Sequence, residues 1–438
     1  MRINQPRPKI YTHEGTVAQH INPELSLRRS VMSCMLWEKE FYEDGEDITK
    51  RIADLIPKVD PEKVAAIAVE AREKMKLRHI PLFIVREMAR LPSHRTLVRK
   101  TLSTVIQRPD ELSEFLAIYW KDKKQPISSQ VKKGLADAFQ KFNEYQLAKY
   151  NRDGSIKLRD VLFLCHAKPK DAEQEALWKK LVDKELQTPD TWEVALSSGG
   201  DKKEHWTRLL SEQKLGALAL LRNLRNMRES NVEPTLIKSA LKEMKTERIL
   251  PFRFIAAARH AMDFEPELEQ AMFKCLSGME KFPGSTCVLV DVSGSMDAEI
   301  SSKSDLKRVD AACGIAMLIR ELSDDPYMVT FSDLMAQVPP RRGFALRDAI
   351  VSSQPHSGTT LGQALRALAD PRQPKMDRMI VITDEQSSDR IPNPPWEHSY
   401  IINVASNKNG VGYGAWNHID GWSESVISYI AELERSED

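Results

Sequence analysis

Asp291, Ser293 and Ser295 alternate along the chain directly after an apolar, β-branched run at residues 286–290. Such a run, bounded by glycines, is typical of a strand buried in a parallel sheet. The carboxylate and the two hydroxyls can converge beyond the strand's carboxyl end, where open α/β sheets bind their ligands. This spacing of oxygen atoms predicts a divalent-cation site.

Two later segments supply further oxygen ligands. Thr359 precedes a helical run at residues 361–368, and Asp384 ends a second apolar strand at residues 379–384. Carboxylates and hydroxyls are hard ligands, so we expect Mg²⁺ or Mn²⁺ and not a metal that prefers thiolates. Together, these segments resemble the metal-ion-dependent adhesion site of von Willebrand factor A domains.

A plainer interpretation treats residues 291–295 as a polar turn in which Ser295 caps the next helix. The positions of Thr359 and Asp384 favour the metal site instead. Catalytic patterns are not matched: Ser293 stands where a phospho-aspartate phosphatase has its second Asp, and Asp291 replaces the first Gly of a G-x-S-x-G elbow. With no P-loop lysine and no H-E-x-x-H either, we expect a ligand-binding site and not an enzyme.

The chain has 438 residues, of which 41% are hydrophobic and 29% charged, so we expect two or three soluble domains. No apolar run is long enough for a membrane span. The N-terminal residues contain prolines and no apolar core, so we expect no secretory signal and a cytoplasmic protein. Scattered cysteines without a C-x-x-C pair indicate reduced thiols, with neither a zinc cluster nor a disulfide frame.

The net charge of +1 conceals a difference between two parts of the chain. Residues 1–280 contain 49 Lys and Arg against 41 Asp and Glu, whereas residues 281–438 contain 15 against 22. Such asymmetry indicates different partners, and nucleic acid is the usual partner of a basic surface. Because the excess is modest, a nucleic-acid site must be a local concentration of charge.

From about residue 25 to residue 279, apolar spacing predicts one helix after another. Pro57 should end a helix and Pro61 should begin the next, since proline is tolerated in a first helical turn. One apolar stripe is predicted on a helix after Pro126, formed by Val131, Leu135, Ala138, Phe142 and Tyr145. Short connections without a strict repeat favour an irregular α-solenoid over a four-helix bundle.

Helical spacing stops at residues 281–285, so we predict a domain boundary there, with domains at 1–280 and 281–438. In the second domain, strands and helices should alternate in a doubly wound, Rossmann-like parallel sheet. Besides the two strands and the helix already named, we expect a helix at 305–322, strands at 327–331 and 400–404, and a final helix at 423–434.

Residues 78–100 concentrate positive charge around a single acidic residue, Glu87. Arg86 and Arg90, and again Arg95 and Arg99, are spaced to share a helix face. With Lys100, these four arginines are the candidate phosphate contacts. Arg222 begins a second basic stripe that continues by steps of three through Arg225 and Arg228. RNA phosphates suit such stripes, although a solvated helix face is the commoner use of surface arginine.

A third group, Lys149, Tyr150, Arg152 and His166, combines cations with an aromatic ring. RNA bases stack on aromatic rings and phosphates pair with Lys and Arg, so this segment is a reasonable RNA surface. The alternative for His166 is a position at a helix C-terminus, where the helix dipole favours it. The sequence prefers neither interpretation.

The sequence resembles the Ro autoantigen family, whose members carry a TROVE domain. The likeness covers nearly the whole chain and depends on the order of several motifs, at residues 77–83, 149–150, 158–160, 166–169, 220–224 and 291–295. The resemblance implies a ring-like α-solenoid of HEAT-like helical repeats followed by a von Willebrand factor A domain. We expect a monomer and a bacterial or phage member of the family.

The resemblance also implies RNA partners. Family members bind small non-coding Y RNA on the outer surface, and a basic central hole admits single-stranded 3′ ends of misfolded structured RNAs during RNA quality control. Lys149, Arg152 and His166 fall at family positions that contact Y RNA, but one residue fewer separates Tyr150 from Arg152 here, so Lys149 and His166 carry over more firmly. An exoribonuclease or another protein would be a further partner.

The rival hypothesis assigns the function to the second domain. An A domain on a helical scaffold could serve adhesion or assembly by binding an acidic residue of another protein through its metal. The missing secretory signal and disulfide frame argue against an extracellular protein of this kind. The basic stripes favour RNA.

Overall fold

The structure is a computed structural model that describes residues 9–11, 22–33, 45–75, 77–151, 153–197, 199–246, 249, 251–276, 281–301, 304–405, 411, 414–420, 426–427, 430–431 and 434. The chain divides into two compact units. We call Pro23–Leu36 with Glu46–Gly199 the helical unit, and Met1–Asn22, Trp37–Gly45 and Gly200–Asp438 the mixed unit. No described helix is long and apolar enough to cross a membrane.

Helices alone make up the regular structure described in the helical unit. They are α1 (Pro23–Ser33), α2 (Gly45–Leu55), α3 (Pro61–Glu73), α4 (His79–Arg90), α5 (Arg95–Val105), α6 (Asp110–Tyr119), α7 (Ser129–Phe139), α8 (Glu144–Tyr150), α9 (Leu158–Cys165), α10 (Ala172–Asp183) and α11 (Trp192–Ser197). Pro61 begins α3, and Pro57 lies in the 3₁₀ turn Ile56–Lys58 that follows α2. Both proline predictions are confirmed.

The apolar stripe predicted from Val131 to Tyr145 is wrong in its second half. Helix α7 ends at Phe139, and α8 begins after Asn143, whose side chain accepts a hydrogen bond from the Gln146 N–H at 2.9 Å. The Gln146 side chain in turn accepts one from the Asn143 N–H. This reciprocal cap starts a new helix, so Tyr145 is 51% exposed and does not continue the buried face of α7.

Helices and a sheet are combined in the mixed unit. Its elements are α12 (Lys202–Ser211), α13 (Ala217–Glu229), α14 (Pro234–Glu243), α15 (Pro251–His260), α16 (Glu265–Lys274), β1 (Phe282–Asp291), β2 (Glu299–Ser301), β3 (Ser304–Lys307), α17 (Arg308–Leu322), β4 (Ser323–Phe331), β5 (Met335–Gln337), α18 (Gly343–Val351), α19 (Leu361–Leu368), β6 (Arg378–Thr383), β7 (His398–Asn403) and β8 (Asn417–Asp420).

The main sheet has the strand order β5-β4-β1-β6-β7-β8. All pairings are parallel except that of β5 with β4, so the prediction of a wholly parallel sheet is corrected at one edge. The chain leaves β1 for β4 on one side and later returns to β6 on the other. The strand order therefore reverses between β1 and β6, at the edge where doubly wound sheets bind ligands.

Several predicted elements differ from the structure in their bounds. The helix expected at 305–322 begins at Arg308, because residues 304–307 form a strand that pairs with β2. Asp310, three residues beyond Lys307, accepts a hydrogen bond from the Lys307 N–H at 2.8 Å and so fixes the helix start. The final helix expected at 423–434 lies largely outside the described residues, although residues 426, 427, 430, 431 and 434 are helical.

Strands replace helices at Phe282, but α15 and α16 pack in the same unit as the sheet. Arg259 of α15 forms an ion pair with Asp310 of α17, and the Glu269 carboxylate of α16 accepts a hydrogen bond from the Phe344 N–H at 2.9 Å. The compact units consequently divide near residue 200. The predicted domains at 1–280 and 281–438 stay a prediction, as does closure of the helices into a ring.

Gly362 in the first turn of α19 has no space for a side chain. A Cβ there would lie 2.2 Å from the Arg390 carbonyl oxygen and 2.6 Å from an Asp389 carboxylate oxygen. We therefore expect Gly362→Ala to lower the free energy of unfolding by about 1–3 kcal/mol, the usual cost of overpacking. Urea unfolding measures this change.

The matched control is Gly154→Ala, because a Cβ on Gly154 would meet no other atom closer than 3.8 Å. This variant should be as stable as the parent protein or slightly more stable, since alanine reduces the entropy of the unfolded chain. Equal unfolding free energies for the two variants would contradict the close packing of α19 against residues 389–390.

Candidate metal centre and nucleic-acid interface

Two carboxylates lie at the carboxyl ends of adjacent strands. Asp291 is the last residue of β1, Asp384 directly follows β6, and both are fully buried. Asp291 Oδ1 accepts a hydrogen bond from the Ser293 N–H at 2.9 Å, and its Oδ2 accepts one from the Thr383 hydroxyl at 2.6 Å. The parallel pairing of β1 with β6 brings these carboxylates to the point where the strand order reverses.

The predicted hydroxyl ligands lie in loops that are hydrogen-bonded to one another. Ser293 Oγ and Ser295 Oγ are 3.2 Å apart. The Gly294 N–H donates to the Ser357 carbonyl at 2.9 Å, which joins the loop after β1 to the segment before α19. The Thr359 carbonyl accepts from the Ser388 N–H at 2.8 Å, which joins that segment to the loop after β6. All five predicted metal ligands thus belong to three connected segments.

The two predicted carboxylate ligands at this edge are fully buried acids. Burial, and then the charge of Asp384, raise the pKa of Asp291 to about 7. A cation between the carboxylates would relieve both effects. Two carboxylates with three hydroxyls are the type of donor set that Mg²⁺ or Mn²⁺ takes, and the predicted metal fits the residues present.

Sequence reasoning missed two residues that contact the predicted ligands. Arg308, at the start of α17, is 2% exposed, and its Nη1 lies 3.5 Å from Asp384 Oδ2. Thr383 donates the hydrogen bond that holds Asp291. A buried arginine with a carboxylate partner has no signature in a single sequence, because α17 and the β6 loop are far apart along the chain.

The nearby acids Asp297 and Asp333 are held by other groups. Asp297 contacts His356 Nδ1 at 2.7 Å and Lys307 Nζ at 3.0 Å. Partial burial raises the pKa of Asp297, but the hydrogen bonds to His356 and Lys307 outweigh it and leave that pKa below its usual value. The hydrogen bonds from Ser357 and the Gly358 N–H likewise lower the pKa of Asp333. Both carboxylates are thus kept ionised at the rim of the site.

The basic segment at 78–100 is more neutral in three dimensions than along the chain. Arg86 is 4% exposed and pairs with Asp122, which also lies 3.0 Å from Arg90. Arg99 forms a two-pronged contact with Asp137 at 2.6 and 3.0 Å. These acids come from residues outside the segment, so the sequence window could not reveal them.

Arg95 and Lys100 remain as exposed cations of this segment. Neither forms an ion pair with another residue in the described part of the chain. Arg90 and Arg95 also line a cavity of about 660 Å³ together with Tyr119. Of the five predicted phosphate contacts, Arg95 and Lys100 are thus the exposed cations without an acidic partner among the described residues, and binding of RNA by any of the five stays a prediction.

The third predicted RNA-binding group, which includes Lys149, Tyr150 and His166, lies on and next to helices α8 and α9. Lys149 Nζ lies 6.0 Å from the centre of the Tyr145 ring and 5.8 Å from that of Tyr150, over which Arg108 is also stacked at 4.5 Å. His166 follows the last residue of α9 with a φ of 54°, and its side chain is exposed. His166 therefore lies at a helix C-terminus, as its alternative interpretation has it, and its contact with RNA stays a prediction. Arg152 lies outside the described residues.

Arg222 lies on the exposed face of α13, whereas Leu221 and Leu224 on the same helix are buried. Arg225 and Arg228 pair with Glu229 and Asp263 at 3.4 and 3.5 Å. The three arginines therefore form a solvated stripe in which two members have acidic partners.

A helical region joined to a mixed, mainly parallel sheet is the class of fold that these elements define. The TROVE domain matches residues 13–185 and 183–309, which is more than half of the chain. The chain belongs to the TROVE-domain family.

A solved relative has the same fold. The crystal structure of the Deinococcus radiodurans Ro (RSR) protein superimposes with a TM-score of 0.62 at 17% identity, covering 94% of this chain and all of that one. Telomerase protein component 1 of Rattus norvegicus is 22% identical over 355 residues, and that of Mus musculus is 22% identical over 374. These matches cover 60% and 63% of this chain but only 13% and 14% of the telomerase proteins.

A pH dependence follows from the raised pKa of Asp291. Between the ordinary value of 3.8 and about 7, the folded protein binds more protons at this group than the unfolded chain does. In EDTA-treated protein, this group should therefore lower the free energy of unfolding by on the order of 2–4 kcal/mol as the pH rises through that window. Asp291→Asn removes the ionisation with little change of shape. Urea unfolding of both proteins at several pH values isolates this contribution as their difference, and parallel pH profiles would contradict it.

Proposed function

We propose that this protein is an RNA-binding protein of the Ro type that acts in non-coding RNA quality control or processing. A small, structured, Y-like RNA would bind at α8 and α9, and the single-stranded 3′ end of a misfolded RNA would bind at a separate basic site. The observation that carries the proposal is the cluster of Lys149, Tyr145, Tyr150 and Arg108, in which cations lie over aromatic rings.

This cluster has the chemistry that RNA requires. Tyr145 is 51% exposed and Phe163 of α9 is 60% exposed, so aromatic surface is available for unpaired bases to stack on. Lys149 and the exposed Lys168 and Lys170 supply cations for phosphates. Family membership supports the assignment of Lys149 and His166 to a Y-like RNA.

The unpaired 3′ end is assigned to the cations around Arg95. Arg90, Arg95 and Tyr119 share a cavity of about 660 Å³, and Lys100 extends the positive charge along α5. The backbone of a single strand follows positive charge of this kind. In the ring that the family resemblance predicts, this surface would line the central hole.

We also propose that the sheet is a von Willebrand factor A domain whose adhesion site holds Mg²⁺ or Mn²⁺. Ser293, Ser295 and Thr359 would bind the ion directly, and Asp291 and Asp384 directly or through water. Two carboxylates near a divalent ion and Arg308 leave net positive charge, so an acidic group is the ligand that suits the open position. This arrangement supports a second candidate function, metal-dependent assembly with another protein.

Metal uptake tests the second proposal. Asp291→Ala should abolish Mn²⁺ binding in titration calorimetry, because it removes one of two buried charges that attract the ion. Asp297→Ala is the control, since Asp297 contacts His356 and Lys307 instead of the predicted ligands. Unchanged Mn²⁺ affinity in Asp291→Ala would show that the ion binds elsewhere.

The first proposal is tested by a variant that should bind one RNA more weakly while it keeps most of its affinity for the other. Lys149→Ala combined with His166→Asn should weaken a Y-like hairpin RNA at least tenfold, roughly the effect of removing two polar interactions. A duplex with a single-stranded 3′ tail should keep much more of its affinity, because its tail binds at Arg95 and Lys100. Asparagine is used because it tolerates the positive φ of residue 166. Filter binding of both RNAs at one salt concentration gives the two affinities.

Lys179→Ala, an exposed lysine of α10, is the matched control and should leave both affinities unchanged. One undifferentiated basic surface would instead predict equal weakening of the two RNAs by the double variant. Equal weakening would therefore contradict separate sites.

A further inference from the structure

A groove of about 430 Å³ lies between α13 and α15 of the mixed unit. Its apolar part includes Leu221, Leu224 and Ala257, which are buried, and Leu218, which is 42% exposed. Its polar part includes Arg222 and Arg253, which come from different helices. Of these two arginines, Arg222 belongs to the basic stripe predicted from the sequence, whereas Arg253 lies on a helix that has no basic spacing of its own.

The two arginines are close enough to affect each other. Partial burial, and then the charge of Arg222, lower the pKa of Arg253. Arg222 forms no ion pair with a residue in the described ranges. Arg225 also lines the groove, but its contact with Glu229 at 3.4 Å joins two side chains that are each about 60% exposed, so it is weakly held. An anion bound between Arg222 and Arg253 would attract both guanidinium groups and so offset the repulsion between them.

Two asparagines add hydrogen-bonding groups of fixed orientation. Asn226 Oδ1 accepts from the Trp206 indole N–H at 2.9 Å, and Asn223 Nδ2 donates to the Ala219 carbonyl at 2.8 Å. These hydrogen bonds use the oxygen of Asn226 and a nitrogen of Asn223. The amide nitrogen of Asn226 and the oxygen of Asn223 thus remain as one donor and one acceptor for a ligand.

We propose that the α13–α15 groove binds one nucleotide of a single-stranded RNA. Arg222 and Arg253 would bind its phosphates, since the guanidinium fork matches phosphate oxygens. Asn223 and Asn226 would bind the edge of the base, and Leu218 would contact its face. The inference rests on the proposed RNA-binding function and adds a site outside the helical unit.

A nucleotide explains the whole lining better than an acidic peptide does. The carboxylates of an acidic peptide would use the arginines and its backbone would match the asparagines, but such a peptide has no planar apolar face to lie on the exposed Leu218. A base-paired nucleotide would also fit poorly, because its edge and faces are occupied by its partner and its neighbours in the stack. The groove therefore suits an unpaired nucleotide.

The test compares full-length variants for binding of a fluorescent oligouridylate of about 10 nucleotides. Arg222→Gln combined with Arg253→Gln should weaken this single strand roughly tenfold or more and should reduce the slope of log affinity against log salt by about 0.7 for each phosphate that the variant no longer binds. A Y-like hairpin without an unpaired tail should keep its affinity. Arg222→Lys should give an intermediate affinity, because it keeps the charge but not the fork.

Arg208→Gln is the matched control, since Arg208 is a half-buried arginine of α12 that pairs with Glu212 and lies outside the groove. Thermal melting checks that all variants fold. Equal single-strand affinity in the double variant and the parent, or equal weakening in Arg208→Gln, would overturn the groove assignment while leaving RNA binding intact. Failure of the parent protein to bind either RNA would instead overturn the proposed function and the groove with it.

Two competition experiments identify the source of the anion. Uridine monophosphate should displace the oligouridylate only at far higher concentration, because it lacks the neighbouring phosphates. Displacement by the free nucleotide at equal concentration would overturn the assignment to RNA in favour of a nucleotide site. If a polyglutamate peptide displaced the oligouridylate as effectively as RNA does, the assignment of the groove to RNA would be overturned in favour of a protein ligand.

Discussion

The parallel pairing of β1 with β6 places two carboxylates at the same edge of the sheet, and this placement governs the chemistry of the mixed unit. Asp291 and Asp384 end neighbouring parallel strands whose other residues are mostly buried and apolar, so the backbone ladder fixes where the two charges lie. Burial and mutual repulsion disfavour ionisation of Asp291. The hydroxyl of Thr383 and the N–H of Ser293 offset only part of this cost, and a divalent cation is the group that would offset the rest.

Helix α17 contacts both this site and the helices that precede the sheet. Arg308 at the start of α17 lies beside Asp384, and Asp310, two residues further on, pairs with Arg259 of α15. Arg347 of α18 lies 3.6 Å from the other oxygen of Asp310. Because Asp310 is fully buried, its contacts with two arginines offset part of the cost of removing its carboxylate from water. This network explains why α15 and α16 pack in one unit with the sheet.

The central elements of the sheet could be predicted from the sequence because each is marked by local chemistry. The apolar runs of β1 and β6 end in the carboxylates that were predicted there, and α19 spans the residues expected of it. The edge strands β5 and β8 were missed because strands of three and four residues have too little apolar alternation to detect. The stripe from Val131 to Tyr145 was wrong in its second half because its apolar spacing continues across the helix break at Asn143.

Charge pairing was the least predictable property. Arg86 and Arg99 look alike along the chain, yet one is buried against Asp122 and the other is half exposed beside Asp137. Their partners lie 36 and 38 positions away in sequence. The approach of Arg222 to Arg253 across a groove was hidden for the same reason. Basic spacing alone therefore overestimates how much positive charge remains available to RNA.

The divalent ion that we propose would lie at the edge between β1 and β6. An anomalous-difference map from crystals grown with Mn²⁺ tests this proposal most directly. We expect a single strong peak about 2.1 Å from the hydroxyl oxygens of Ser293, Ser295 and Thr359, the distance that a small divalent cation requires. A fully occupied Mn²⁺ peak elsewhere in the chain, with none between these three side chains, would contradict it.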